Sequence, residues 1–287
     1  MGAGLPRRRF DEADAALGFP LSKIIAEGPE AELTRTANTQ PAILTVSVAW
    51  LDELAARGVT AEVAAGHSLG EYAALVWAGA LSFGDAVRLV HLRGKFMQEA
   101  VPEGQGAMAA IIGLEGRSVA DTCREASEAS GAADGEACQP ANFNGAGQVV
   151  IAGHKGAVER AMQMCKDKGA KLVKALPVSA PFHSALMAPA GERLRAELDR
   201  VTVSNMLLPI VANVTAEAYR DSGLVKDLLA RQVTGSVRWE ESVHALVKLG
   251  VTEAYEVGPG NVLRGLMKRI APTVTMIDLP SVLGAKP

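Results

Sequence analysis

Residues 63–79, VAAGHSLGEYAALVWAG, change their hydrophobic period in mid-stretch. Val63, Ala64 and Ala65 form a short apolar run, the pattern of a buried strand. Leu69, Tyr72, Ala73 and Val76 then recur at i, i+3, i+4 and i+7, one face of a helix that Gly79 closes. The switch falls on Gly66-His67-Ser68-Leu69-Gly70. A G-x-S-x-G between strand and helix is the setting of a nucleophile elbow, a sharp turn that holds a serine hydroxyl above a sheet. Backbone N–H groups at the start of the helix can stabilise an oxyanion there, with Leu69 N–H as one donor. The plainer reading of Ser68 is a helix cap.

The rest of the chain suits an α/β protein. Apolar residues make up 48% of it and aromatics only 4%, as close helix–sheet packing favours. Its 287 residues are about right for one large domain with a subdomain. Residues 10–18 read as a helix end stopped by Gly18. Residues 40–57 read as a long helix with Pro41 in its first turn and Gly58 as its stop, and 83–99 as another helix. From Gly104 the texture shifts. Strands are expected over 108–114, 138–143, 148–152 and 171–177, helices over 117–130 and 156–168, and a loop over 131–135. That β-α-β-β-α-β order is ferredoxin-like. A small subdomain over 105–177 is therefore expected inside a large one built from 1–104 and 178–287. In the last part, strands are expected at 208–213, 254–257 and 274–279, and helices at 225–231, 239–249 and 261–270.

Several function classes fall away on composition. A formal net charge of -3 with no basic face argues against nucleic acid as a partner, and Arg7-Arg8-Arg9 reads as a solvated cluster. Three cysteines with no C-x-x-C spacing fit reduced thiols and a cytoplasmic setting, not a disulfide framework or a zinc site. There is no signal-peptide pattern and no apolar run of about 18 residues, so no membrane association is expected. No cofactor or metal is expected either.

A serine hydroxyl needs a base. Of five histidines, His67 should point away at a sharp turn, and His91 and His244 lie in helical patterns. His154 follows a strand and reads as structural. His183 lies in the irregular stretch Ser179-Ala180-Pro181-Phe182-His183-Ser184, a fixed loop of the kind that carries catalytic groups. Its plainer reading is a satisfied loop histidine. No acid between Ser68 and His183 announces itself as the orienting partner of a hydrolase, and no HGGG-type motif is present. Arg93, on a largely apolar helix, can pair bidentately with a carboxylate; its plainer readings are an ion pair within the protein or snorkelling to solvent. Gly258-Pro259-Gly260 reads as a turn and does not match the P-loop pattern.

Taken in order, NTQPAIL (38–44), GHSLGEY (66–72), LRG (92–94), ANFNGAGQVVIAG (141–153), PVSAPFHS (177–184) and YEVGPGNVL (255–263) resemble the malonyl-coenzyme A:acyl carrier protein transacylase family, across residues 10–280. The resemblance implies an α/β-hydrolase-like large subdomain with a parallel sheet and a nucleophile elbow, plus the inserted ferredoxin-like one. It implies a Ser68–His183 dyad whose histidine is oriented by a backbone carbonyl, that of Gln232 in RQVTGSVRW. Arg93 would hold the free malonyl carboxylate, and Leu69 would supply an oxyanion donor. Phe182 resembles the malonyl-selective pattern, and Asn144 is counted with the substrate-binding residues. The implied activity is ping-pong transfer of malonyl from malonyl-coenzyme A to the phosphopantetheine thiol of acyl carrier protein in fatty-acid biosynthesis, by a monomer.

One departure tempers this. Family members begin with a strand ending in a Gly-Gln-Gly-Ser-Gln-like motif that adds an oxyanion donor. Here family-like sequence starts near Arg8 or Phe10, after Met1-Gly2-Ala3-Gly4-Leu5-Pro6. The family's first strand is therefore expected to be missing. The competing expectations are a serine hydrolase or thioesterase, and a truncated carrier-binding remnant with impaired catalysis.

Overall fold

The computed structural model describes residues 7–129, 135–178 and 180–279, and helices come first among them. Met1 to Pro6, where the departure from the family was read, lie outside the described residues. The first helix, α1 (Arg8–Leu17), ends at Gly18, whose φ of 74° gives the left-handed turn of a helix stop. Next come α2 (Leu21–Glu27), α3 (Glu30–Leu33) and α4 (Thr36–Ala56). α4 starts a turn before the expected Gln40 and carries Pro41 inside it. Pro41 has no N–H for the Ala37 carbonyl. The His91 Nδ1 bonds that carbonyl instead, at 2.8 Å. A side chain from another helix repairs the break, so the helix runs through the proline.

After β1 (Ala64–Ala65) the chain turns into α5 (Gly70–Trp77). A Cβ on Gly66 would lie 1.9 Å from the Gly70 carbonyl carbon and 2.4 Å from Glu71 N. Only glycine lets the strand enter the helix this tightly. α6 (Phe83–Glu99) follows with the expected bounds. A Cβ on Gly94 would sit 2.5 Å from Thr36 O, so glycine also sets how closely α6 approaches α4. That approach brings Arg93 alongside Gln40.

The inserted part contains β2 (Gly106–Ile112), α7 (Gly116–Glu128), β3 (Cys138–Gly145), β4 (Gln148–His154), α8 (Lys155–Asp167) and β5 (Leu172–Ala175). Its sheet runs β3-β4-β2-β5 with every pair antiparallel, the ferredoxin-like arrangement. Ile111, Ile151, Val119 and Val158 fill the core between sheet and helices. Cys123, Cys138 and Cys165 are free and buried. Residues 131–134 of the expected loop lie outside the described residues.

The chain then adds α9 (Ala188–Arg200), β6 (Ile210–Val211), β7 (Ala218–Tyr219), α10 (Val225–Gln232), α11 (Trp239–Lys248), β8 (Glu253–Tyr255), α12 (Val262–Ile270) and β9 (Thr275–Ile277). α9, absent from the sequence reading, buries Ala190, Leu194 and Leu198. The expected parallel sheet comes in two pieces. β1 pairs parallel with β6, β7 joins β6 antiparallel, and β8 pairs parallel with β9. Among the described residues no strand precedes β1 in the chain, and none pairs with both β1 and β8. A cavity of about 1070 Å³ separates the pieces, lined by Val63 to Gly66 on one side and Glu253 to Gly258 on the other. These strands are shorter than their apolar runs, because a ladder extends only where a neighbouring strand runs beside it. Among the described residues no helix is long and apolar enough to cross a membrane.

Candidate active site

Ser68 has φ 51° and His183 has φ 55°, left-handed values that a non-glycine residue keeps only when its surroundings enforce them. At the elbow the enforcement comes from Asn213, fully buried just after β6. The Ser68 N–H donates to Asn213 Oδ1 at 2.6 Å, and Asn213 Nδ2 donates to Gly66 O at 2.6 Å. One side chain therefore clamps both arms of the turn.

The hydroxyl lies directly against the expected base: Ser68 Oγ is 2.7 Å from His183 Nε2. His183 Nδ1 lies 2.9 Å from Gln232 O and 3.2 Å from Gly235 O. Both carbonyls only accept, so the proton belongs on Nδ1 and the Nε2 lone pair faces the serine. No acidic side chain is needed behind this histidine. Burial, and next the Arg93 charge, push its pKa down to about 3, against the upward pull of the two carbonyls. The imidazole is thus neutral near pH 7, with its Nε2 lone pair toward the serine.

Arg93 is 2% exposed. Its Nη1 donates to Gln40 Oε1 at 2.7 Å, and its Nη2 donates to Gln232 Oε1 and to Ser68 Oγ, each at 3.0 Å. Its Nε–H is buried with no partner. All its hydrogen bonds are to neutral oxygens and its guanidinium lies 6.0 Å from the centre of the Tyr72 ring, so neither an ion pair nor snorkelling describes it. Burial lowers its pKa, with Tyr72 and then Glu71 opposing, but a guanidinium stays charged in proteins.

The Gln232 side chain joins these parts. Its Oε1 accepts from Arg93, while its Nε2 donates to Ser68 O at 3.0 Å and to Glu71 Oε2 at 2.7 Å. Glu71 Oε2 also accepts from Asn213 N at 3.1 Å, whereas its Oε1 is buried without a partner. Burial raises the Glu71 pKa to about 7, against the lowering effect of Gln232, Asn213 and Arg93.

Leu69, nearly buried, precedes α5, and its N–H makes no hydrogen bond among the described residues. Phe182 packs against both the core around α4–α6 and the patch formed by Met108, Ala141 and Val150 of the small subdomain. Asn144 does not join Ser68, His183 and Arg93. Its Oδ1 lies 2.9 Å from His67 Nε2, and the His67 ring tilts against Trp239. His154 bonds Ala137 N through Nδ1 at 2.9 Å. Among the described residues no cluster of His, Cys, Asp or Glu is placed to hold a metal ion.

Sequence reasoning missed Asn213, Gly235, Glu71 and the Gln40 contact. Two carried a signal. Glu71 is a charged residue on an apolar helix just past the serine, and Gln40 is polar at the head of an apolar one. Asn213 and Gly235 had none, since their roles depend on which distant backbone they meet.

A serine with a carbonyl-oriented base beside an unpaired buried cation is suited to acyl transfer. Residues 7–270 match the acyl transferase domain family, and the chain belongs to it. Within that family it is 50% identical over 290 residues to the malonyl CoA-acyl carrier protein transacylase of Salmonella typhimurium, covering 99% of this chain and 92% of that protein. The transacylase structure from Coxiella burnetii superposes with a TM-score of 0.91 at 41% identity, over 95% of this chain and 85% of that one. A malonyl-transacylase solved in complex with a type II PKS acyl-carrier protein gives 0.89 at 46% identity, over 94% and 86%.

Proposed function

We propose that the chain, acting as a cytoplasmic monomer, moves a malonyl group from malonyl-coenzyme A to the phosphopantetheine thiol of an acyl carrier protein, the malonyl-loading step of fatty-acid biosynthesis. The observation that carries the reading is the buried Arg93 guanidinium, without a carboxylate partner and 3.0 Å from Ser68 Oγ.

Ser68 Oγ attacks the thioester carbonyl as its proton passes to His183 Nε2. The oxyanion that forms is met by the Leu69 N–H. Collapse expels the coenzyme A thiolate, which takes the proton from His183, and leaves malonyl-Ser68. The carrier thiol then gives its proton to His183 and attacks the ester, and Ser68 recovers a proton as it departs. Arg93 holds the free carboxylate throughout. An acetyl group would leave that buried cation unpaired, which disfavours it.

Intact mass spectrometry after mixing with malonyl-coenzyme A tests the reading, with S68A as control. A malonyl adduct on the unmodified chain alone is expected. Equal labelling of S68A removes the serine from the mechanism, and coenzyme A release without an adduct points to hydrolysis. R93A is expected to lower the preference for malonyl- over acetyl-coenzyme A by about 10²-fold, as loss of one partner of a buried charge pair does.

A further inference from the structure

Arg93 and Glu71 are both buried, and neither has a directly bonded partner of opposite charge. One neutral amide separates them. Arg93 Nη2 donates to Gln232 Oε1 at 3.0 Å, and Gln232 Nε2 donates to Glu71 Oε2 at 2.7 Å. The amide dipole lies along this line, oxygen toward the cation and nitrogen toward the anion, so each bond polarises the other. A carboxylate in direct contact with Arg93 would neutralise it equally well but would occupy the donors an incoming acyl carboxylate needs. Placed one amide away, it offsets the buried charge and leaves Nε–H unpartnered.

We propose that Glu71 is the remote counter-ion of Arg93, a positioning residue whose charge sets how strongly the site favours a carboxylate-bearing acyl group. This rests on the reading of Arg93 given above. The physical consequence has a definite sign. With Glu71 ionised, the acyl carboxylate enters a site whose cation is already partly compensated. With Glu71 neutral, the same carboxylate meets an uncompensated cation and is held harder.

The groups bearing on Glu71 are few. Arg93 faces it from α6, and Tyr72 and Tyr219 bear on it from α5 itself and from β7. Burial raises both phenols, so they stay neutral near pH 7. α4 contributes neutral Gln40, which reaches Arg93, and β1 contributes only alanines. α10 contributes Gln232, and the stretch after β6 contributes Asn213. Burial keeps His183 and His67 on the neutral side. Glu71, raised to about 7, is the group in this set that changes charge between pH 8 and pH 6.

The experiment is the ratio of kcat/KM for malonyl- over acetyl-coenzyme A, measured from pH 8 to pH 6 for the unmodified chain, E71Q and R93A. The coenzyme A phosphates and His183 affect both donors alike and cancel in the ratio, while the acyl carboxylate stays ionised throughout. In the unmodified chain the ratio is expected to rise as pH falls. In E71Q, whose Oε1 can still accept from Gln232 and Asn213, it is expected to be higher at pH 8 and flat with pH. The increase is roughly threefold to thirtyfold, the effect of one charge across an amide at an effective dielectric of about 20. A merely structural role would depress both donors together and leave the ratio alone. An unchanged or lower ratio in E71Q at pH 8, or the same pH dependence in both proteins, overturns the proposal. Should E71Q fail to fold, a flat ratio in the unmodified chain overturns it as well. If R93A keeps the malonyl preference, the reading of the site fails and this inference with it. If R93A loses the preference while E71Q matches the unmodified chain, only the role of Glu71 fails.

Discussion

The small subdomain draws its four-stranded sheet from one stretch of chain, Gly106 to Ala175, with β3 and β4 joined as a hairpin. The catalytic body pairs Ala64 with Ile210 and Ala65 with Val211, and leaves β8 and β9 as a separate pair across a cavity. The body with the shorter ladders nevertheless holds the proposed reacting groups, Ser68 and His183. Its precision comes from a few buried side chains, Asn213, Gln232, Glu71 and Gln40, that reach across long chain separations. A continuous ladder spreads stability over many equivalent bonds. The elbow is held by a handful of unequal ones, each of which a single substitution removes.

Substitutions in the two bodies should therefore differ in kind. Gly66→Ala carries the largest expected effect. Its Cβ would overlap the Gly70 backbone, which is not a flexible side chain that can step aside. More than about 4 kcal/mol of stability should be lost, the range of severe steric lesions. A denaturant midpoint equal to that of the unmodified chain would show that the elbow has slack the geometry denies.

Asn213→Leu comes next. It strips the partners from Ser68 N–H and Gly66 O, about 2–5 kcal/mol for two buried groups. Formation of the malonyl adduct should slow by roughly 10²-fold, while amide exchange in β2 and β4 stays as it was. Faster exchange there would mean that the two bodies share one cooperative unit.

The smallest effect belongs to Ile151→Val, in the fully buried centre of β4. About 1 kcal/mol of stability should go, with malonyl transfer kept within about twofold. A larger fall in transfer would tie catalysis to the packing of the small subdomain and erase the contrast.

Local periodicity made much of the architecture legible. The helix over Phe83–Glu99, the strand–turn–helix at Ser68 and the ferredoxin-like order all follow from spacings within about twenty residues. The early start of α4 was hidden because Pro41 reads as a boundary until His91, from α6, covers the Ala37 carbonyl. The division of the large sheet was hidden for a related reason. An apolar run says that a strand can form, not whether a neighbour is there to pair with it.

Sequence by itself determined the turn at Ser68, because the glycine at 66 and the change of hydrophobic period are local facts about the chain. It also marked His183 and Arg93 as residues out of keeping with their surroundings. Only the tertiary structure decided what those residues can do. Arg93 is unpaired because Gln40 and Gln232, not acids, are its neighbours, and His183 is neutral because it is buried beside the Arg93 charge, with carbonyls and no carboxylate at its Nδ1. The physical reason is burial. In a low-dielectric interior the identity of the nearest few atoms sets charge and proton position, and those atoms arrive from parts of the chain that no local pattern connects.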